Sequence, residues 1–212
     1  RFAASASGRM NATCVAISSV VGTQLAVRHG TKFVVGGGLI LLSVAYAWIS
    51  TVSVETTYLE IALQMVVLGT GMGLTSAPAT ESIMGAVSNA KAGIGSAVND
   101  ATRELGATLG VAVIGSVFAS LYHDAFSPKA VSGIPSQALG PAEDSIGGAL
   151  IAAQKLTDLG AVSAARSLDR IASTGFFDGM QAGCLVAAGV CALGAIFCFA
   201  VLPAQPETEV DQ

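Results

Sequence analysis

Apolar and charged positions divide the chain into long charge-free windows separated by short polar links. Phe33 to Val54 runs for 22 residues without a charge and Gly179 to Leu202 for 24. About 20 apolar residues at 1.5 Å each suffice to cross a hydrocarbon core about 30 Å thick. Ile61 to Thr80 is a third window of 20 uncharged residues, carrying Gly69, Gly71, Gly73 and Pro78. Lipid tolerates these residues because neighbouring groups satisfy the freed backbone and small residues let helices approach. A fourth segment, Ala92 to Tyr122, is uncharged from Leu105 onward, while its first part holds Asp100, Arg103 and Glu104. The pattern predicts transmembrane helices over 33–54, 61–85, 92–122 and 179–202. Met10 to Val27, 18 uncharged residues rich in Ser, Thr, Asn and Gln, predicts a fifth, and the start at Arg1 reads as a truncation.

Between the fourth and last windows, Asp124 to Asp178 mixes Pro128, Pro135 and Pro141 with ten charges, which places it outside the hydrocarbon. Ile146, Leu150, Ala153, Leu156 and Leu159 recur there at helical spacing and predict one or two short surface helices. The expected organisation is a partial transmembrane helix and basic turn over 1–32, three transmembrane helices over 33–122 and an extracytoplasmic loop over 123–178. A final transmembrane helix over 179–203 and an acidic tail over 204–212 complete it. Lys and Arg in short loops set orientation. Arg28 and Lys32 in the turn RHGTK, and Lys91 two helices later, therefore fall on one side, the cytoplasm, with the long loop opposite.

Composition agrees with this reading. Only 11% of residues are charged and the mean hydropathy is +0.68, against roughly 25% charged residues in soluble domains, so the fold class is an all-α polytopic membrane protein. The formal charge is −4 without a cluster of basic and aromatic residues, which argues against a nucleic-acid partner. Cys184, Cys191 and Cys198 repeat every seven residues, about 10.5 Å along a helix. That is too far for thiolates to share a metal with bonds of about 2.3 Å, so the stripe reads as packing and no metal or cofactor is expected. His29 and His123 sit at membrane edges, outside any nucleophile and base arrangement, and enzymatic chemistry is not expected.

Asp100, Arg103 and Glu104 stand at i, i+3 and i+4 and share about a 100° arc of a helix. Charges facing lipid cost about 2.5–3.5 kcal/mol each on insertion scales, so this face should meet protein or a water-filled cavity. Arg103 can fully neutralise one carboxylate, which makes the other a candidate for proton carriage. The alternative is an Arg and carboxylate network at the wet membrane boundary. Glu81, three residues after Pro78, either pairs with Arg103, marks a gate or is an interfacial acid. Gly106 and Gly110, with Gly115 beyond, and the pair Gly69 and Gly73 are spaced for close helix contact. Met65, Met72, Tyr46, Trp48 and Phe176 suit lipid or packing positions, or the wall of a polyspecific apolar pocket.

The run AGIGSAVNDATRELGATLGVAVIGSVFASLY, Ala92 to Tyr122, resembles the penultimate helix of the fourteen-helix, proton-coupled drug exporters of the major facilitator superfamily. Gly95, Ser96, Ala97, Arg103, Leu105, Gly106, Leu109, Gly110, Val111 and Ala112 match that helix's pattern. LGTGMGLTSAP from Leu68 resembles the helix before it, and the run from Gly175 to Pro203 resembles the last helix. RHGTK resembles the superfamily's cytoplasmic turns. The resemblance implies the C-terminal helices of a major facilitator bundle in the plasma membrane. It also implies proton-coupled export of small hydrophobic or cationic substrates, with the lipid bilayer, protons and the remaining helices of the transporter as partners. A membrane subunit that regulates a partner without transporting, or an exporter of metabolites or peptides, is the alternative.

Overall fold

The computed structural model describes residues 2–53, 55–128 and 130–202, and side-chain surroundings from Ala12 onward except at Asn89. The tail expected over 204–212 and the first residue of the expected 1–32 segment lie outside the described residues. Among them the chain is helical, without strands. The helices are α1 (Phe2–His29), α2 (Thr31–Ile49), α3 (Tyr58–Gly85), α4 (Ala92–Ala125), α5 (Ser136–Asp144), α6 (Ile146–Asp158) and α7 (Val162–Val201), with a short 3-10 turn, Asn89–Lys91, before α4. Of these, α2, α3, α4 and α7 are long and apolar enough to cross a membrane, the architecture of an all-α, multi-pass membrane protein.

Local chemistry sets the helix ends. Gly30 has φ +92°, a conformation that glycine adopts readily, so α1 hands over to α2 across one residue. α2 ends at Ile49 rather than near the expected 54. The hydroxyls of Ser50 and Thr51 donate back to Ala47 O and Trp48 O, both at 2.7 Å, and this local bonding competes with further helix. In α3, Thr70, Thr75 and Thr80 donate to carbonyls four residues back at 2.7–2.9 Å. Hydroxyls that could not be left unpaired in lipid are thereby satisfied. Pro78, buried within α3, removes a backbone donor, a loss that neighbouring groups can absorb in a membrane helix.

Two compact units divide the chain: residues up to Val111 with those from Cys184 onward, and Ala112–Gly183. In the first, α1, α2 and α3 lie side by side and small residues set their approach. A Cβ on Gly73 would stand 2.7 Å from Val15 O and from Ser18 Cβ, while Gly38 and Gly71 face one another so closely that a Cβ on either would be 3.1 Å from the other's carbonyl oxygen. The C-terminal half of α7 joins α2 through Ser43, whose hydroxyl donates to Ala188 O at 2.9 Å. Gly36 leaves room there for the ring of Phe199. The buried amide of Gln64 is satisfied by donating Nε2–H to Trp48 O at 3.3 Å.

In the second unit, the end of α4 packs against the start of α7. Gly175, Gly179 and Gly183, one turn apart on α7, meet Ala125, Phe118 and Ile114 respectively, with Cβ approaches of 2.7–3.0 Å. Around this seam, Tyr122, Phe126, Ile134, Ala138, Ala149, Leu156, Leu168 and Ala172 form a continuous core. Tyr122 donates its hydroxyl to Ala142 O at 2.8 Å and so ties α5 to α4.

The structure corrects the sequence reading in this region. Residues 123–178 are not a loop with isolated surface helices but carry α5, α6 and the first turns of α7. The last helix starts at Val162, not Gly179. At 1.5 Å per residue, its 40 residues extend about 60 Å, twice the thickness of a hydrocarbon core. The expected inward stripe of α6 also shifts: Ala149, Ala152 and Leu156 are buried, whereas Leu150 and Leu159 are exposed.

Candidate functional site

Within the first unit, α3 and α4 border a cleft of about 520 Å³. Thr75, Ser76 and Thr80 line it from α3, and Asn99, Thr102 and Arg103 from α4. Thr75 is ten residues from the end of α3 and Arg103 eleven from the start of α4, so both lie about 15 Å along their helices from the Asn89–Lys91 turn. The sequence produces this wall by helical periodicity. Thr75, Ser76, Ala79, Thr80 and Ile83 occupy one face of α3, and Val98, Asn99, Thr102 and Arg103 one face of α4.

The three charges that share an arc of α4 divide at the cleft. Arg103 lines it, whereas Asp100 and Glu104 are not on its wall. Asp100 accepts from Asn99 Nδ2 at 3.4 Å, and Thr108 donates its hydroxyl to the backbone oxygen of Glu104 at 2.8 Å. All three side chains are exposed. The cleft therefore presents a guanidinium with amide and hydroxyl groups, a donor-rich surface suited to a carboxylate or another acceptor.

Glu81 is also exposed and contacts α1, not Arg103: Thr23 donates its hydroxyl to Glu81 Oε1 at 3.4 Å. The basic turn places Arg28 and Lys32 on either side of Gly30. The Lys32 carbonyl accepts from the Cys198 thiol at 3.6 Å.

The glycines singled out for packing fall into two groups. Gly73 and Pro78 stand at the α1–α3 contact, since the Pro78 ring lies 3.4 Å from where a Gly22 Cβ would be, and Gly69 is buried in α3. At Gly106, Gly110 and Gly115, by contrast, a Cβ would meet nothing within 4 Å among the described residues. Most of α4 from Ile94 to Val113 is exposed. The seam at Gly175, Gly179 and Gly183 was not singled out from sequence, although its spacing of four is the signal that would have found it. Among the described residues no group of three or more His, Cys, Asp or Glu could hold a metal ion.

No family model matches the chain. It is similar to the multidrug efflux pump LfrA of Mycolicibacterium smegmatis, at 32% identity over 151 residues that make up 71% of this chain and 29% of that protein. It is also similar to the multidrug transporter protein MdtP of Bacillus subtilis, at 25% identity over 125 residues, 58% of this chain and 23% of that protein. The chain thus spans less than a third of either relative.

Proposed function

We propose that this chain is the C-terminal part of a proton-coupled exporter of hydrophobic or cationic drugs, built on the major facilitator plan. The observation that carries the reading is the similarity of 151 residues to a multidrug efflux pump, and the α3–α4 cleft supplies a matching geometry. A guanidinium well inside a helix long enough to cross a membrane must be kept from lipid. In the intact transporter, Arg103 and the acids Asp100 and Glu104 face the remaining helices or a water-filled path. Arg103 holds one acceptor across the cleft, and protonation of Asp100 or Glu104 changes which partner it takes. Glu81, held by Thr23, acts as a gate at the same end of α3.

The test is proton-driven drug efflux in everted vesicles prepared from cells expressing the full-length transporter, normalised to protein abundance. Asp100→Asn and Glu104→Gln remove a charge at nearly constant volume, so abundance should hold while efflux per molecule falls. Arg103→Ala should lower both, because a buried charge left without its partner typically costs about 3–5 kcal/mol. Normal efflux per molecule in all three variants would reduce the cluster to a wet interfacial network.

A further inference from the structure

The second unit holds an apolar groove between α5 and α6, distinct from the α3–α4 cleft and independent of the transport reading. Its volume is about 310 Å³, at the lower end of the range that takes small molecules. On α6, Ile151, Lys155 and Leu159 stand at i, i+4 and i+8 and form one wall, about 12 Å long at 1.5 Å per residue. Ala138 and Pro141 of α5 form the facing wall. A Cβ on Gly148 would collide with the Pro141 carbonyl, so the two helices touch at that end and the groove opens beyond it.

The charge pattern selects the occupant. Among the described residues on the wall, Lys155 is the charged group, and no carboxylate lines the groove. The nearest acid on α6, Asp158, accepts from Gln154 Nε2 at 3.2 Å, on residues that do not line the groove. Ile151 and Leu159 are 61% and 81% exposed, large apolar surface that folding leaves uncovered. A narrow apolar trough with an ammonium midway along one wall fits a single alkyl chain ending in an anion. The chain covers Ile151 and Leu159, and the head accepts from Lys155. A protein segment would need more area than a groove of this volume offers.

We propose that the α5–α6 groove binds a single-chain anionic amphiphile, with its alkyl chain along Ile151, Leu156 and Leu159 and its anionic head on Lys155. The amphiphile can come from the bilayer into which α4 and α7 continue, or from the aqueous phase, and the chemistry is common to both.

The test uses the protein in lipid nanodiscs. A photoactivatable laurate analogue is added from the aqueous phase, and in a parallel sample a photoactivatable phosphatidic acid is built into the bilayer, with crosslinks mapped by mass spectrometry. Crosslinks should concentrate on residues 148–159 from at least one of the two probes, and the probe that gives them identifies the source. Laurate should compete about tenfold or more better than dodecanol or dodecyltrimethylammonium, as expected for a charge-assisted contact. Lys155→Met should abolish that preference while leaving dodecanol unchanged, Lys155→Arg should keep it, and Ile151→Asn should weaken all three ligands. Both positions are exposed, and unchanged far-UV circular dichroism and Tm confirm the fold. Absence of groove crosslinks from both probes, equal competition by the three head groups, or an unaltered preference in Lys155→Met would overturn the proposal.

Discussion

At the scale of single residues, glycine in this chain is defined by what lies opposite it. A Cβ at Gly73 would press on the Val15 carbonyl and the Ser19 backbone nitrogen at 2.7 and 2.9 Å, backbone atoms that cannot swing aside. Gly73→Val should therefore destabilise the α1–α3 contact by about 1–3 kcal/mol, the usual cost of overpacking, and lower the Tm of the purified protein in detergent. Gly106→Val meets open space, and its effect on the same chain should stay within about 0.5 kcal/mol. An equal loss in both variants would show that α4 has a neighbour in solution which the isolated fold lacks. Sequence spacing found Gly73 and Gly106 alike, because a stripe of small residues records that close approach is possible, not which stripe is used. The candidate charges show the same division. Periodicity puts Asp100, Arg103 and Glu104 on one arc, but it was the placement of α3 that turned Arg103 to the cleft and left both acids off it.

Among elements, the charge-free windows located the four apolar helices and missed their true lengths for a physical reason. A window without charges measures how much chain can sit in hydrocarbon, whereas a helix continues wherever its backbone bonds are kept and one face is buried. The first half of α7 carries Arg166, Asp169, Arg170 and Asp178, yet Ala165, Leu168 and Ala172 on its other face are buried in the second unit. Amphipathic helix thus runs directly into membrane helix without a break. The seam that aligns α7 with α4 can be tested directly. The Cβ positions of Ala125 and Gly175 are close enough that cysteines there are within reach of a disulfide after slight separation of the helices, since bridged Cβ atoms stand about 3.8 Å apart. In a background free of the native cysteines, Ala125→Cys with Gly175→Cys should crosslink on mild oxidation. Ala125→Cys with Gly179→Cys, one turn out of register, should crosslink much more slowly. Equal rates for the two pairs would mean that α7 slides or is broken near Gly175.

For the whole molecule, the remaining question is sidedness, and topology with charge gives a definite answer. Gly30 and the Asn89–Lys91 turn are separated by α2 and α3, each long and apolar enough to cross a membrane, so two crossings return the chain to the same side. Both links are basic, through Arg28, Lys32 and Lys91, and basic short loops stay in the cytoplasm. A single crossing by α4 then delivers α5 and α6 to the outside. We expect that Ser136→Cys, at the start of α5, is labelled in intact cells by a membrane-impermeant maleimide, in a background lacking Cys14, Cys184, Cys191 and Cys198. Lys91→Cys should be labelled only in everted vesicles. Replacing the native thiols should be mild, since the contact of Cys198 with the Lys32 carbonyl is a long thiol bond of 3.6 Å. Labelling of Lys91→Cys in intact cells together with protection of Ser136→Cys would invert the topology. It would also put the α5–α6 groove in the cytoplasm, where the aqueous laurate probe would reach it only in everted membranes.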